Sequence, residues 1–316
     1  MPEDFWGNAI FSVTPTIVIG LIFWFAMRAI IRADRAERET HAQVEAEERA
    51  RIARHSTGLV IGAFAALVFL PILAMHPGMV VADTKSYLYL DPTRFLARAA
   101  SLWDSKIGLG TLSHQTIGYL FPMGPWYWVT QRVFGIPTWI SQRLWLGIII
   151  FAAGTGAWRL SREFGVRRRG AAISMLAYAF SPYVLGYSSF YSLLLGPWAA
   201  LPWWIIWTKR GLRVRGWVYP ALIAISVQLV GSLNASSLIL CLIGPALWIP
   251  FSVIGRREAT WRDAWSFLWR TGLLTTVTSL WWLSALLVEG RYGVNILRLT
   301  ESVRTVAATS TPFEII

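Results

Sequence analysis

Cysteine, histidine and acidic residues are scarce in this chain of 316 residues, and their scarcity excludes several classes of protein. The one cysteine, Cys241, lies inside an apolar run, which excludes an intrachain disulfide and any metal or redox motif built on paired cysteines. His76 and His114, in the segment between the second and third apolar runs, are not joined by HxxxH or carboxylate spacing into a metal site. Walker, GxSxG and GxGxxG motifs are absent from the sequence. The chain therefore lacks the motifs typical of nucleotide hydrolases and of serine hydrolases.

Apolar and aromatic residues, in contrast, are abundant. Hydrophobic residues make up 55% of the chain and its mean hydropathy is +0.49, which is too apolar for an ordinary soluble protein. The net charge of +12 comes almost entirely from arginines between apolar runs, a pattern typical of cytoplasmic loops rather than of nucleic-acid binding. Many of the 19 tryptophans lie at the ends of apolar runs, where they suit the lipid headgroup region. We therefore predict a multi-pass protein of the cell membrane, with the lipid bilayer and not nucleic acid as its surroundings.

The apolar runs define the predicted spans, since a spanning helix needs about 20 mostly apolar residues. Eight runs qualify, at roughly 8–31, 57–75, 143–161, 171–185, 188–207, 217–232, 236–254 and 267–287. No small-residue cleavage site stands out after the first run, so we expect an uncleaved helix there rather than a signal peptide. Arginine clusters place the loops at 163–170, 208–216 and 255–263 in the cytoplasm. The N-terminus, the segment 76–142 and the C-terminus are then outside.

The chain changes composition near His55. Residues 32–54 are polar on every helical face, with acidic and arginine side chains paired at i, i+4 spacing, as in a solvated helix. We predict a first domain at 1–55, comprising one transmembrane helix and this charged cytoplasmic helix. The second domain, at 56–316, is a multi-span transmembrane module. The predicted fold class is an all-α membrane protein, a polytopic helical bundle.

The outer segment 76–142 has features of ordered interfacial helices. Asp91 and Pro92 are suited to the N-cap and first position of a helix that carries Arg94 and Arg98 one turn apart. Phe95 and the apolar residues that follow share one face, which predicts a helix lying along the membrane. The aromatic stretch GYLFPMGPWYWVTQRVFG, residues 118–135, predicts a second helix at headgroup depth.

Asp83 is the strongest candidate for chemistry. Acidic residues are rare outside the first 55 positions, and this one follows directly on a predicted span. A carboxylate at the edge of the hydrocarbon is a candidate general base, and Lys85, Arg94 and Arg98 are close enough in sequence to bind a phosphate beside it. The alternative is that Asp83 only caps a turn. Asp91 is a secondary acidic candidate because it already has a role as an N-cap.

The segment after the last span contains a second group of candidates. Arg291 and Arg298 could bind a phosphate in a bidentate manner, or could anchor the end of the helix in the interface. For Arg291 the two interpretations are balanced, whereas anchoring is favoured for Arg298. Glu301 is a second acidic candidate in this tail. No metal ligand set and no cofactor are predicted, and any need for a divalent metal stays open.

Three motifs of the outer segment together indicate a family. The stretch DTKSYLYLDPTRFLARAASLWDS, then GYLFPMG, then QRLW resemble the N-terminal transmembrane module of the α-(1→3)-arabinofuranosyltransferases of the actinobacterial cell envelope, the AftD-like branch of the GT-C glycosyltransferases. The similarity runs from about Thr57 to the end of the chain. The family's proteins are several times longer, so we expect this chain to carry a truncated module, and residues 1–55 have no counterpart in the family.

The resemblance implies an integral membrane enzyme with a GT-C-like bundle. Such an enzyme takes arabinofuranose from decaprenyl-phosphate and adds it to an arabinan acceptor outside the cytoplasmic membrane. GT-C enzymes place a catalytic acid in the first outer loop, and the matching position here is Asp83. With an activated donor, one carboxylate can serve as the base of an inverting displacement while Lys85, Arg94 or Arg298 binds the departing phosphate.

Other functions remain open at the level of sequence. A non-catalytic membrane scaffold or lipid-binding subunit would keep the spans without the chemistry. A GT-C enzyme could also use another polyprenyl-phosphate sugar, since sugar choice depends on a few hydrogen bonds. A transporter ranks last, because it would need ionisable residues in mid-span and inverted repeats.

Overall fold

The computed structural model describes residues 57–83, 85–99, 101–105, 110–112, 117–188, 192–230 and 235–292. The chain forms two compact units, Met1–Ala63 and Phe64–Ile316. Of the first unit, residues 57–63 are described, and they begin a helix. The predicted span at 8–31 and the charged segment 32–54 lie outside the described residues. The domain boundary at residues 55 and 56 stays a prediction.

The described residues are almost entirely helical, which confirms the predicted fold class. In chain order the elements are α1 (Thr57–Ala74), α2 (Tyr87–Leu90), α3 (Pro92–Ala99), β1 (Trp103–Asp104), β2 (Thr111–Leu112), a 3-10 turn (Ile117–Tyr119), α4 (Met123–Trp128), a π-helical turn (Val129–Val133), α5 (Thr138–Glu163), α6 (Arg168–Ala179), α7 (Pro182–Tyr187), α8 (Ser192–Arg213), α9 (Val218–Val230), α10 (Ala235–Pro250), a second π-helical turn (Phe251–Gly255) and α11 (Trp261–Tyr292). The strands β1 and β2 form a small antiparallel ribbon that the sequence did not predict.

Within the described residues, four helical stretches are long and apolar enough to cross a membrane. They are Thr57–Ala74, Thr138–Glu163, Ser237–Gly255 and Trp261–Tyr292. Each contains or overlaps a predicted span. Two other predicted spans correspond to α8, which contains Pro197 and Pro202, and to α9, which is only 13 residues long.

The predicted span at 171–185 is wrong as a single helix. Helix α6 ends at Ala179 and α7 begins at Pro182. Ser181 between them is extended, with φ −63° and ψ 154°, because a residue before proline is driven out of the helical region. Proline also lacks the N–H that would continue the helix, so the chain restarts at α7.

Helices are present at both places where the sequence predicts them in the segment 76–142. Helix α3 begins at Pro92, and the Asp91 carboxylate accepts a hydrogen bond from the Arg94 N–H at 3.1 Å, the geometry of an N-cap. Helix α4 follows in the aromatic stretch. Their apolar faces share one buried cluster with α2 and the start of α8, comprising Leu88, Tyr89, Phe95, Ala99, Tyr119, Met123, Tyr127 and Leu193.

Helix α5 packs against α6 and α8. Two of its glycines lie against aromatic rings of α1: a Cβ at Gly147 would overlap Phe69, and one at Gly154 would overlap Phe64. Phe64 is buried and stacks on Phe151 of α5 with ring centroids 5.7 Å apart. The missing side chains therefore let the α1 rings pack close to the α5 backbone.

The three arginine-rich loops lie at one side of the bundle, because ion pairs connect each of them to α8 or to the residues that follow it. Glu163 pairs with Arg210 and with Lys209, whose Nζ lies 3.7 Å from the carboxylate. Glu258 binds Arg213 at 2.7 Å. The remaining pairs are Arg256 with Glu258 and Arg215 with Asp263, each at 2.6 Å. The shared side that the arginine clusters predicted is thus present in the fold.

Candidate active site

The segment that carries Asp83 begins where α1 ends. Two residues in the left-handed region, His76 at φ 41° and Gly78 at φ 84°, turn the chain away from the helix. Beyond this turn, the backbone of Val81 exchanges two hydrogen bonds with the side chain of Gln142 on α5. The backbone that precedes Asp83 is therefore held against the first turns of α5.

Asp83 is buried, with 5% of its surface exposed. Its carboxylate accepts a hydrogen bond from the Ser192 backbone N–H at 2.8 Å and a second, short one from the Ser192 hydroxyl. Ser192 is the first residue of α8, and the N–H groups at a helix start lack partners within the helix and favour a negative charge. Asp83 thus caps α8 from a position 109 residues earlier in the chain.

Three tyrosines lie close enough to the Asp83 carboxylate for its charge to act on their hydroxyls: Tyr89, Tyr119 and Tyr127. The rings of Tyr89 and Tyr127 lie 5.8 Å apart between centroids, and Tyr119 belongs to the same buried cluster. Burial, with smaller effects of Tyr87 and Asp83, raises the pKa of Tyr119 to about 12. Burial also raises the pKa of Tyr127 well above its usual value, and the charge of Asp83 acts in the same direction. These phenols are therefore neutral hydrogen-bonding groups at physiological pH.

The site brings together motifs that are distant in sequence. Tyr89 belongs to the first of the three outer motifs and Tyr119 to GYLFPMG, while Gln142 and Arg143 begin QRLW. Ser192, Tyr127 and the hydrogen bonds of Gln142 and Arg143 were not predicted. Nothing near Ser192 in sequence marks it, since its role depends on where α8 starts in space.

The predicted cations and the second acid near Asp83 have different surroundings. Lys85 and Arg94 are exposed. The Arg98 guanidinium pairs closely with Asp104. Asp91, in addition to capping α3, lies 4.0 Å from the Arg132 guanidinium.

The candidates after the last span are only partly described. Arg291, in the last turn of α11, is exposed and lies 5.7 Å from the ring centroid of Tyr292, an arrangement that suits an interface anchor. Arg298 and Glu301 lie outside the described residues.

Metal-binding geometry is lacking in the part of the chain that the structure describes. No group of three or more His, Cys, Asp or Glu side chains there could hold a metal ion.

A bundle of helices apolar enough to span a membrane, with short helices and a buried acid after the first described span, fits the GT-C-like fold that the sequence predicts. Residues 66–316 match the family described as alpha-(1->3)-arabinofuranosyltransferase, N-terminal GT-C domain. The chain belongs to this family, as its outer motifs predicted.

Relatives and solved structures agree with this assignment. Proteins named alpha-(1->3)-arabinofuranosyltransferase from Mycolicibacterium smegmatis and Mycobacterium tuberculosis are 33% identical over 237 residues and 34% identical over 236 residues. The cryo-EM structure of arabinofuranosyltransferase AftD from Mycobacteria matches 73% of this chain with a TM-score of 0.66 and 30% identity, covering 17% of that chain. A mutant form of the same protein gives a TM-score of 0.65 and 31% identity.

The matched region is a small part of the relatives. It covers 72% of this chain and 16% of each curated relative, so the chain spans about one sixth of their length. The fold is that of a membrane protein, and the family is one of membrane glycosyltransferases.

Proposed function

We propose that this chain carries the catalytic site of a membrane glycosyltransferase that moves arabinofuranose from decaprenyl-phosphate to a cell-envelope arabinan, with inversion, at the outer face of the membrane. The observation that carries the proposal is the buried Asp83 carboxylate at the start of α8. It supplies a base in a protein whose family is named for arabinofuranosyl transfer.

The reaction needs one base and one site for the leaving group. The oxygen of an acceptor hydroxyl attacks the anomeric carbon, the bond from that carbon to the phosphate oxygen breaks, and decaprenyl phosphate leaves. The acceptor's proton passes to the Asp83 carboxylate. Because the donor is already activated, a single displacement suffices, and it inverts the anomeric centre.

The environment of Asp83 supports its role as the base. The neighbouring phenols Tyr119 and Tyr127 stay protonated because burial raises their pKa, so they can donate hydrogen bonds to sugar or phosphate oxygens without competing for the proton. Lys85 is the predicted cation nearest to Asp83 in sequence and is exposed. We assign it to the departing phosphate, together with Arg94, while Arg98, Arg291 and Arg298 are secondary candidates.

The outer location rests on the length of α8. Helix α8 runs for 22 residues from Ser192, beside Asp83, to Arg213, in the arginine-rich loop region. At about 1.5 Å per residue this is about 33 Å, roughly the thickness of the hydrocarbon core. Arginine-rich loops stay in the cytoplasm, so Asp83 is assigned to the opposite, outer side. Both chain termini are assigned to the outer side by the same rule.

Transfer by the purified chain tests the proposal. We expect Asp83→Asn to lower kcat by about 10²- to 10⁴-fold, the usual contribution of a general base, with a much smaller change in KM. The asparagine Oδ1 can still accept the Ser192 N–H and its Nδ2 can donate to the Ser192 hydroxyl oxygen, so the cap on α8 is kept while the base is lost. The assay uses labelled decaprenyl-phosphoryl arabinofuranose and an arabinan oligosaccharide.

Asp91→Asn is the matched control. Asparagine caps helices as well as aspartate does, so α3 should persist and kcat should stay close to that of the unchanged chain. If the unchanged chain transfers no sugar from any polyprenyl-phosphate donor, the scaffold alternative is favoured and the proposal fails. Transfer of a different sugar would keep the mechanism and correct the donor.

A further inference from the structure

Two neighbouring side chains of α5 bind the backbone that leads from α1 to Asp83. The Gln142 Oε1 accepts a hydrogen bond from the Val81 N–H at 2.9 Å, and its Nε2 donates to the Val81 carbonyl at 2.7 Å. The Arg143 guanidinium donates to the carbonyls of Leu73 at 3.2 Å, His76 at 2.6 Å and Met79 at 3.3 Å. Five hydrogen bonds thus connect one dipeptide to this segment.

Both side chains are shielded from water. Gln142 is 5% exposed and Arg143 is 7% exposed. The Arg143 guanidinium also lies 4.7 Å from the ring centroid of Trp139, which holds it over the end of α1. Hydrogen bonds of buried polar groups are costly to leave unmade, because the freed groups have no water to replace the partner. Residues 74–82 are exposed, and these two buried side chains of α5 restrain their backbone.

The Val81 carbonyl links the hydrogen bonds of Gln142 to the backbone of Asp83. Besides Gln142, it accepts hydrogen bonds from the Asp83 N–H at 2.8 Å and from the Tyr89 hydroxyl at 3.1 Å. One oxygen thus connects α5, the backbone of Asp83 and the tyrosine cluster. Movement of Val81 would displace Asp83 relative to Ser192, and small displacements of a catalytic group cost much of its rate.

We propose that Gln142 and Arg143 are positioning residues for Asp83, acting through the backbone of residues 73–83 rather than by touching substrate. The proposal rests on the proposed function for what is positioned, while the restraint itself concerns the backbone alone. Gln142 fixes the position of the Val81 backbone relative to α5. Arg143 fixes the conformation of the turn that follows α1. Together they set where the Asp83 carboxylate meets the first N–H of α8.

Gln142→Leu tests the proposal, because leucine keeps most of the volume and removes both hydrogen bonds to Val81. We expect amide hydrogen exchange in a peptide covering residues 76–83 to rise at least about tenfold, since local opening becomes easier. We also expect kcat to fall at least about tenfold with little change in KM, because the base is misplaced while substrate contacts remain. Both quantities are measured on the full chain in detergent.

Gln228→Leu is the matched control. Gln228 is also a buried glutamine of a membrane helix, 9% exposed, and its amide bonds Ser279 at 2.8 Å and Thr278 at 3.1 Å of α11. Its replacement should weaken the packing of α9 on α11 but leave exchange at residues 76–83 and kcat unchanged. Should Gln142→Leu fail to fold, Arg143→Lys is the second variant: it keeps the charge, loses the fork that reaches several carbonyls, and should give the same pair of changes.

The outcomes separate the two proposals. If Gln142→Leu changes neither exchange nor kcat, the positioning role is overturned. The role is also overturned if exchange rises while kcat is unchanged, because the contact is then structural only. If Asp83→Asn keeps full activity, the proposed function fails, whereas the exchange of residues 76–83 still decides whether Gln142 restrains the segment.

Discussion

Tyr89 and Tyr127 are neighbours in the same buried cluster but differ in their hydrogen bonds. The Tyr89 hydroxyl donates to the Val81 carbonyl at 3.1 Å. The Tyr127 hydroxyl is fully buried and has no hydrogen-bond partner among the described residues. A buried hydroxyl without a partner loses the hydration it has in the unfolded chain. The Tyr89 hydroxyl should therefore stabilise the fold and the Tyr127 hydroxyl should destabilise it.

Removing each hydroxyl tests this difference. We expect Tyr89→Phe to lower the free energy of unfolding by about 1 kcal/mol, because its partly buried hydrogen bond to the Val81 carbonyl is lost. Tyr127→Phe should raise it by about 1 kcal/mol, since an unsatisfied polar group is removed. Unfolding in detergent, followed by tryptophan fluorescence, compares the two variants. A loss of stability with Tyr127→Phe would show that its hydroxyl has a partner.

Single residues were predictable from sequence where the signal is local. Asp91 was identified as an N-cap from its place before Pro92, and the structure confirms it. Asp83 was predicted as a catalytic candidate from its place beyond an apolar run; the structure shows it buried, and its catalytic role stays a prediction. Ser192 could not be identified, because its contact with Asp83 spans 109 residues and depends on the packing of α8. Gln142 and Arg143 were visible only as part of a family motif.

At the scale of elements, Glu258 connects α8 to the loop before α11. Hydrogen bonds from Arg213 and then from Arg256 hold the pKa of the Glu258 carboxyl below its usual value. A carboxyl with a lowered pKa in the folded state stabilises the fold above its unfolded-state pKa. That contribution is lost as the pH falls through the folded-state pKa.

The effect of Glu258→Gln on Tm should therefore depend on pH. We expect the unchanged chain to have a higher Tm than Glu258→Gln at pH 6 to 7, because the charge-assisted hydrogen bonds are intact there. The difference should shrink as the pH is lowered below the usual carboxyl range, about 4.3, toward pH 3. Thermal unfolding over this range checks it. A difference in Tm that does not vary with pH would contradict the account.

The existence of helices was easier to predict than their ends. Long apolar runs gave α1, α5, α10 and α11, because a helix that faces lipid must be apolar over its full length. The break between α6 and α7 was missed, since Ser181 and Pro182 lie inside a run that is apolar overall. The ribbon of β1 and β2 was missed because each strand has only two residues and no periodicity to detect.

At the scale of the whole molecule, the arginine-rich loops and Asp83 lie at opposite ends of α8. The ion pairs of Glu163, Glu258 and Asp263 hold the loops on one side. Helices α3 and α4 and the Asp83 carboxylate lie near the start of α8, on the opposite side. The placement of the arginine-rich loops on the side opposite Asp83 was predictable, because the clustering of arginine in short loops is a property of sequence alone. The face of each helix that contacts its neighbours was not.

Cysteine labelling tests the orientation. In a Cys241→Ser background, Lys85→Cys should react with a membrane-impermeant maleimide in intact cells, because Lys85 is exposed on the side assigned to the exterior. Arg169→Cys, which is exposed at the start of α6, should react only after the membrane is opened. Labelling of Arg169→Cys in intact cells, with Lys85→Cys protected, would reverse the proposed orientation.

The central claim is that the buried Asp83 carboxylate takes the acceptor's proton. The most direct test is the ratio of kcat for Asp83→Asn to kcat for Asp91→Asn, measured with decaprenyl-phosphoryl arabinofuranose on chains of equal thermal stability. The account predicts a ratio of about 10⁻² or lower, because one change removes the base and the other preserves a helix cap. A ratio near one would show that Asp83 only caps α8, and it would contradict the account.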